Sequence, residues 1–99
     1  MKYQEVITIL KDHQSELNNK GVLHAGVFGS VARGEANVHS DIDLLIDLDE
    51  NKIPDLFAYA NLLSYIQDLF ANSQVDIANR ATLKPHVRPS TEKDYLNAF

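Results

Sequence analysis

Two aspartates separated by a single residue stand at the start of an apolar run. Asp41 and Asp43 flank Ile42, and Ile42, Leu44 and Ile46 then recur with the period of a β-strand. Side chains two residues apart on a strand point to the same face, so both carboxylates project from one face. Two adjacent carboxylates repel each other, and divalent ions such as Mg²⁺ prefer oxygen ligands that they share with phosphates. The pair therefore indicates a metal site.

A Gly29-Ser30 turn follows an apolar run from 22 to 28 and precedes the aspartates. Glycine lets phosphate oxygens approach the backbone closely, and the turn offers N–H groups and a hydroxyl. We expect Val31-Ala32-Arg33 to begin a short helix whose first N–H groups face an anion. Ser30 also has a purely structural interpretation as the helix N-cap. Together with the aspartates, the turn predicts a metal-dependent nucleotide site.

Two other phosphate and metal motifs are excluded by the residues present. Four residues separate Gly29 from Gly34, as in a P-loop, but Glu35-Ala36 stands where Lys-Ser/Thr is required. In a calcium loop beginning at the aspartate pair, Leu45 would replace the third ligand. Taken alone, the pair is equally compatible with a solvated edge strand.

The whole string is more specific than its parts. It resembles the signature of the DNA polymerase β-like nucleotidyltransferases and, in detail, of the minimal nucleotidyltransferases of bacteria and archaea. The resemblance extends over nearly the whole chain. It is carried by Gly29-Ser30-x-Ala32-Arg33-Gly34, then five residues, then Ser40-Asp41-x-Asp43-Leu44. It implies one domain over residues 1–99 with an α/β (α+β) fold, a small mixed sheet of three or more strands flanked by helices, like the polymerase β palm.

The resemblance also implies roles for individual residues. Gly29 and Ser30 would hold the triphosphate of ATP, and Asp41 and Asp43 would bind two Mg²⁺ ions. The family pattern places a third carboxylate on a later strand, and Asp76 stands in such a segment. If that strand lies beside the second one, Asp76 joins the pair as a metal ligand and draws the proton from the acceptor hydroxyl.

Two further candidate nucleotide-binding residues lie within the string. Arg33 has two interpretations that the sequence leaves open. It contacts phosphate, or it braces the loop by pairing with Glu35 or with a site carboxylate. Ser40 precedes the aspartate pair and is expected to form a local hydrogen bond that sets the direction of the second strand.

The surrounding elements must position these residues. Apolar spacing predicts a first helix from Tyr3 to Asn18, which stops at Gly21 as its C′ residue. Pro54 is expected in the first turn of a second long helix, and Ser90 or Thr91 is expected to cap a short final one. The sequence leaves open whether the aromatic end docks on the core or contacts a partner. The predicted strands are 22–28, 41–49 and 75–78, and the apolar stripe of the long helix comprises Leu56, Phe57, Tyr59, Ala60, Leu63, Ile66, Leu69 and Phe70.

Composition restricts the class of protein. The 99 residues suit one small domain, and the 44% apolar content argues against disorder. No cysteine is present, which excludes disulfides and thiolate zinc sites. The net charge of −5 disfavours direct binding of DNA. The sequence shows neither a membrane span nor a signal-peptide apolar block, so we expect a cytoplasmic protein.

The acceptor of the transferred group is expected to come from another protein, because the catalytic fold uses nearly all of the length. The resemblance implies a HEPN-domain ribonuclease toxin as partner. The chain would then add AMP to a toxin tyrosine and act as the antitoxin of a type VII-like toxin–antitoxin system. Two alternatives remain. A non-catalytic antitoxin would neutralise by binding alone, and a transferase of the small-molecule type would modify a substrate such as an aminoglycoside.

Overall fold

Helices and strands alternate through the residues that the computed structural model describes, which are 1–35, 41–71 and 73–99. The helices are α1 (Tyr3–Asp12), α2 (Gln14–Asn19), α3 (Gly29–Ala32), α4 (Leu56–Leu69) and α5 (Arg88–Asp94). The strands are β1 (Val22–Phe28), β2 (Ile42–Leu48), β3 (Val75–Asn79) and β4 (Leu96–Asn97). Short 3₁₀ turns follow β2 at Glu50–Lys52 and β3 at Arg80–Thr82. None of the helices described here has the length and apolar content needed to cross a bilayer.

The strands form one mixed sheet in the order β3-β2-β1-β4. Strand β1 is antiparallel to both of its neighbours, whereas β2 and β3 run parallel. A parallel pair requires a crossover connection, and α4 provides it. The predicted mixed sheet flanked by helices is confirmed, and β4 is a strand that the sequence did not predict.

The two faces of the sheet have different environments. One face carries the alternating apolar residues of β1 and β2 and packs against the helices. This core includes Val6, Leu10, Leu17, Ala25, Val27, Ile42, Leu44, Ile46, Leu62, Ile66 and Phe70. Leu45 is also fully buried, but it points to the opposite face together with Asp43 and Asp47. On that opposite face the ring of Tyr95 lies directly against Gly26, where a β-carbon would collide with it.

The first predicted helix is divided at His13, so the prediction of one continuous helix is wrong. The backbone of His13 has φ −108° and ψ 13°, and this residue ends α1 and precedes α2. Its ring Nδ1 lies 2.8 Å from the carbonyl oxygen of Ile9. The amphipathic period continues across the break because Leu17 on α2 remains buried. Gly21 is the C′ residue with φ +106°, as predicted.

Helix α4 begins later than predicted. Asp55 is its N-cap and accepts a hydrogen bond from the N–H of Ala58 at 2.8 Å, so Pro54 lies before the helix and not in its first turn. The predicted apolar stripe is buried only in part, because Leu56 and Phe57 at its beginning are 82% and 81% exposed. Ile66 and Phe70 of the stripe are buried, together with Leu62, which was absent from the predicted stripe.

The C-terminal segment docks on the sheet. Helix α5 begins at Arg88 after Val87, so Ser90 and Thr91 lie inside it and neither caps it as predicted. Thr91 is buried and its hydroxyl donates to the carbonyl of Val87 at 3.1 Å. The aromatic end continues into β4, which pairs with β1.

Candidate active site

Asp43 and Asp76 are register partners on the parallel strands β2 and β3. Their backbones are therefore about 4.8 Å apart, and their side chains project from the same face. Asp41 immediately precedes β2 and shares this face with Asp43. Because β3 lies beside β2, the condition under which we expected Asp76 to join the pair is met.

Burial and charge act together on the carboxyl group of Asp43. Burial is the largest cause and raises its pKa above the ordinary value. The negative charges of Asp76 and Asp41 raise this pKa further, and the positive charge of Arg33 lowers it. Asp43 is therefore in a partly buried environment with acidic neighbours, which favours a proton or a cation near its oxygens.

Gly29 is in direct contact with this carboxylate. Strand β1 ends at Phe28, which is the register partner of Asp43. Gly29 follows with φ +73°, and a β-carbon at this position would collide with Oδ2 of Asp43. The turn thus needs glycine for two reasons, its left-handed backbone and the closeness of the acidic side chain. The sequence indicated only the access of phosphate to the turn.

Ser30 lies in the first turn of α3. The helix begins at Gly29, with Phe28 as N-cap, so the expected start at Val31 is wrong and Ser30 is not the N-cap. The carbonyl of Ser30 accepts a hydrogen bond from the N–H of Glu35 at 2.9 Å, which closes the turn after α3. The purely structural interpretation of Ser30, as the residue whose side chain caps this helix, is therefore wrong.

Arg33 is held by two carboxylates. Its Nε donates to Glu35 at 2.9 Å, and its Nη1 donates to Asp94 on α5 at 2.7 Å. The bracing interaction with Glu35 is one of the two interpretations of Arg33 from sequence. The sequence gave no signal for Asp94, which lies in α5 outside the motif.

Comparison with known proteins now places the chain in a family. The family described as the nucleotidyltransferase domain matches residues 4–97. The chain belongs to this nucleotidyltransferase family. A protein adenylyltransferase, MntA, of Thermococcus cleftensis is 40% identical to this nucleotidyltransferase over 94 residues, which are 94% of this chain and 92% of the relative. A Methanocaldococcus jannaschii protein provisionally named as a protein adenylyltransferase is 33% identical over 93 residues, which are 93% of both chains.

Solved structures agree on the fold of the nucleotidyltransferase. One, provisionally described as a minimal nucleotidyltransferase, superposes with a TM-score of 0.77 and 30% identity, over 97% of this chain and 95% of that one. A toxin–antitoxin structure with AMP-PNP gives a TM-score of 0.67 at 18% identity, over all of this chain and 73% of that one. At that low identity the likeness concerns the fold alone.

The three carboxylates of the candidate site fit a hard divalent ion, because carboxylate oxygens are the protein ligands that Mg²⁺ prefers. The carboxylates do not yet form a closed cage. Within residues 1–35, 41–71 and 73–99, no group of three or more His, Cys, Asp or Glu side chains is arranged to hold a metal ion. A bound ion would have to draw Asp41, Asp43 and Asp76 closer together.

Two further residues of the motif region are Asp47 and Ser40. Asp47 shares the face of Asp43, and its carboxylate accepts a hydrogen bond from Nε of Arg80 at 3.0 Å. Ser40, proposed for nucleotide binding, lies outside the described residues.

Proposed function

We propose that this nucleotidyltransferase transfers AMP from ATP to a hydroxyl group of a partner protein and thereby acts as an antitoxin. The observation that carries the proposal is the placement of Asp43 beside Asp76, directly against the Gly29 turn. Acidic side chains next to a phosphate-accessible turn are what nucleotidyl transfer requires. The names of the relatives support the protein as acceptor, since MntA of Thermococcus cleftensis is a protein adenylyltransferase.

The residues would divide the work as follows. Asp41, Asp43 and Asp76 would hold two Mg²⁺ ions, which neutralise the triphosphate and lower the pKa of the acceptor hydroxyl. Backbone N–H groups of the turn and the Ser30 hydroxyl would donate hydrogen bonds to phosphate oxygens. Asp76 would accept the proton of the acceptor hydroxyl as its oxygen bonds to the α-phosphorus. The bond from this phosphorus to the bridging oxygen breaks, and pyrophosphate leaves.

A groove at the edge strand β3 offers a docking site for part of the acceptor protein, on the α4 side of the sheet. It lies between α4 and β3, has a volume of about 360 Å³ and is lined by Leu63, Ser64, Gln67 and Asp68 next to Asp76. This volume is near the lower end of about 300–1,000 Å³ for small-ligand pockets, and we expect it to admit a single side chain. Strand β3 is at the edge of the sheet, so the groove can be reached from outside.

The partner in this proposal is a HEPN-domain ribonuclease toxin, as the resemblance of the motif implies. The net charge of −5 is compatible with a basic partner. The likeness in fold to toxin–antitoxin structures is consistent with such a pairing. A cytoplasmic location, where ATP is available, is part of the proposal.

The test uses a HEPN-domain protein as the candidate partner. The two purified proteins are incubated with ATP and MgCl₂, and the partner is weighed by intact-mass spectrometry. We expect the mass of one or more AMP units, located on a tyrosine by peptide fragmentation and absent with Asp43→Asn. A stable complex with an unmodified partner would support the binding antitoxin instead. Turnover of a free aminoglycoside, with the partner left unmodified, would support small-molecule transfer.

A further inference from the structure

Arg33 links the turn helix α3 to the C-terminal helix α5. Its backbone N–H donates to the carbonyl of Gly29 at 3.1 Å, so its main chain is part of the turn. Its guanidinium donates to Asp94, 2.7 Å from Nη1, and its positive charge acts on the nearby carboxyl group of Asp43. An arginine has more N–H donors than the two used by Asp94 and Glu35, so both bonds are compatible with a contact to phosphate.

The two partners of Arg33 differ in how firmly they are held. The side chain of Glu35 is 65% exposed, whereas that of Asp94 is only 21% exposed. A long exposed glutamate keeps most of its rotamer freedom and contributes little to a fixed geometry. Asp94 is therefore the partner that can fix the direction of the Arg33 guanidinium.

Helix α5 has other anchors besides Asp94. Thr91 is buried, and Glu92 accepts a hydrogen bond from Arg80 at 2.9 Å. The ring of Tyr95, which follows α5, lies against Gly26. Because these contacts hold the helix to the sheet, we do not expect the loss of Asp94 to release it.

We propose that Asp94 is a positioning residue that holds the guanidinium of Arg33 at the phosphate side of the nucleotide site. In this proposal Asp94 acts through Arg33 and does not itself contact the nucleotide, since a carboxylate that binds no metal ion would repel phosphate. Its effect is to restrict Arg33 before the nucleotide arrives, so that less conformational entropy is lost on binding. This inference rests on the proposed ATP site, but not on the identity of the acceptor.

The experiment measures binding of ATP with MgCl₂ to the full chain by calorimetry, together with KM and kcat where the partner is modified. We expect Asp94→Asn to raise the Kd and KM for ATP by about three- to tenfold and to leave kcat within about twofold. Asp94→Glu should recover part of the affinity because it keeps the charge. Glu92→Gln is the matched control, since it breaks the other arginine pair of the same helix, and it should leave the Kd unchanged.

A double-mutant cycle separates positioning from a general loosening of α5. In an Arg33→Ala background, Asp94→Asn should have no further effect on the Kd, because the two residues act as one unit. Wild-type affinity in Asp94→Asn, equal losses in Asp94→Asn and Glu92→Gln, or additive losses with Arg33→Ala would each overturn the inference. Normal ATP binding without partner modification would contradict only the proposed function. A wild-type chain that binds no ATP would overturn both.

Discussion

The carboxylate of Asp43 occupies the space that a β-carbon on Gly29 would need. This contact joins the turn and the aspartate pair, which the motif shows only as separate parts of one string. The position of Asp43 is therefore set from two sides, by its register with Asp76 on β3 and by the bare backbone of Gly29. The site depends on the absence of a side chain at Gly29 as much as on the presence of one at position 43.

Gly29→Ala should abolish most activity while the protein still folds. The methyl group would displace the Asp43 carboxylate, and alanine would also be strained at φ +73°. We expect a loss of about 1–3 kcal/mol in the free energy of unfolding and at least about a hundredfold loss in transfer rate. Thermal denaturation and the rate of partner modification measure the two effects.

Gly34→Ala is the matched control for that variant. Gly34 has a similar φ of +75°, but a β-carbon there would meet none of the described atoms within 4 Å. The Gly34→Ala variant should therefore have the backbone strain without the displacement of Asp43, and it should retain much more transfer activity than Gly29→Ala. Equal rates in the two variants would contradict the importance of the Gly29–Asp43 contact.

Asp43→Asn and Asp76→Asn should each reduce transfer by about a hundredfold or more, because each removes a proposed metal ligand and Asp76→Asn also removes the proposed base. Asp47→Asn serves as the control on the same face, since Asp47 pairs with Arg80. It should cost at most about 1 kcal/mol of stability and leave the rate within a few-fold. The measurement is the steady-state rate of transfer with ATP and MgCl₂. A low rate for Asp47→Asn together with a normal rate for Asp76→Asn would contradict the proposed role of Asp76.

The metal-free protein should lose stability through Asp43 as the pH rises. The pKa of Asp43 is raised in the folded state, chiefly by burial, so the folded chain holds this proton more tightly than the unfolded chain. The favourable contribution is complete below the ordinary pKa of aspartate and disappears as the pH passes the raised pKa. In EDTA, urea denaturation should therefore show Asp43→Asn gaining stability relative to wild type across that interval. A stability difference between Asp43→Asn and wild type that does not change with pH would contradict this account.

Ser64→Trp should hinder docking of the acceptor protein without affecting the nucleotide. Ser64 lines the groove beside Asp76, and an indole there would fill much of its volume. We expect partner modification to fall by more than about tenfold while the Kd for ATP stays unchanged. Asn61→Trp, at an exposed position of α4 outside the groove lining, should modify the partner normally. Equal inhibition by both substitutions would place the acceptor elsewhere.

The positions of the acidic residues were more predictable from the sequence than the contacts that hold the neighbouring elements in place. The period of two placed Asp41 and Asp43 on one face, because strand alternation allows few arrangements. Asp76 was expected beside them only if its strand lies next to the second one, and the register of β2 with β3 meets that condition. The same patterns identified β1 and the glycine turn.

The features that were not predicted from the sequence depend on contacts between distant segments of the chain. Asp94 has no motif of its own, and its role follows only from the docking of α5 near Arg33. The break at His13 is absent from the apolar spacing, because Leu17 keeps the same buried side after the break. The exposure of Leu56 and Phe57 likewise depends on where the helix meets the sheet, which hydrophobicity alone does not specify.

The pairing of β4 with β1 has a consequence for the edge of the sheet. Strand β4 pairs with β1 at Gly26 and Val27, and the ring of Tyr95 covers Gly26 on one face. Without this segment the backbone groups of β1 would be left unpaired, and an unpaired edge strand favours aggregation with other chains.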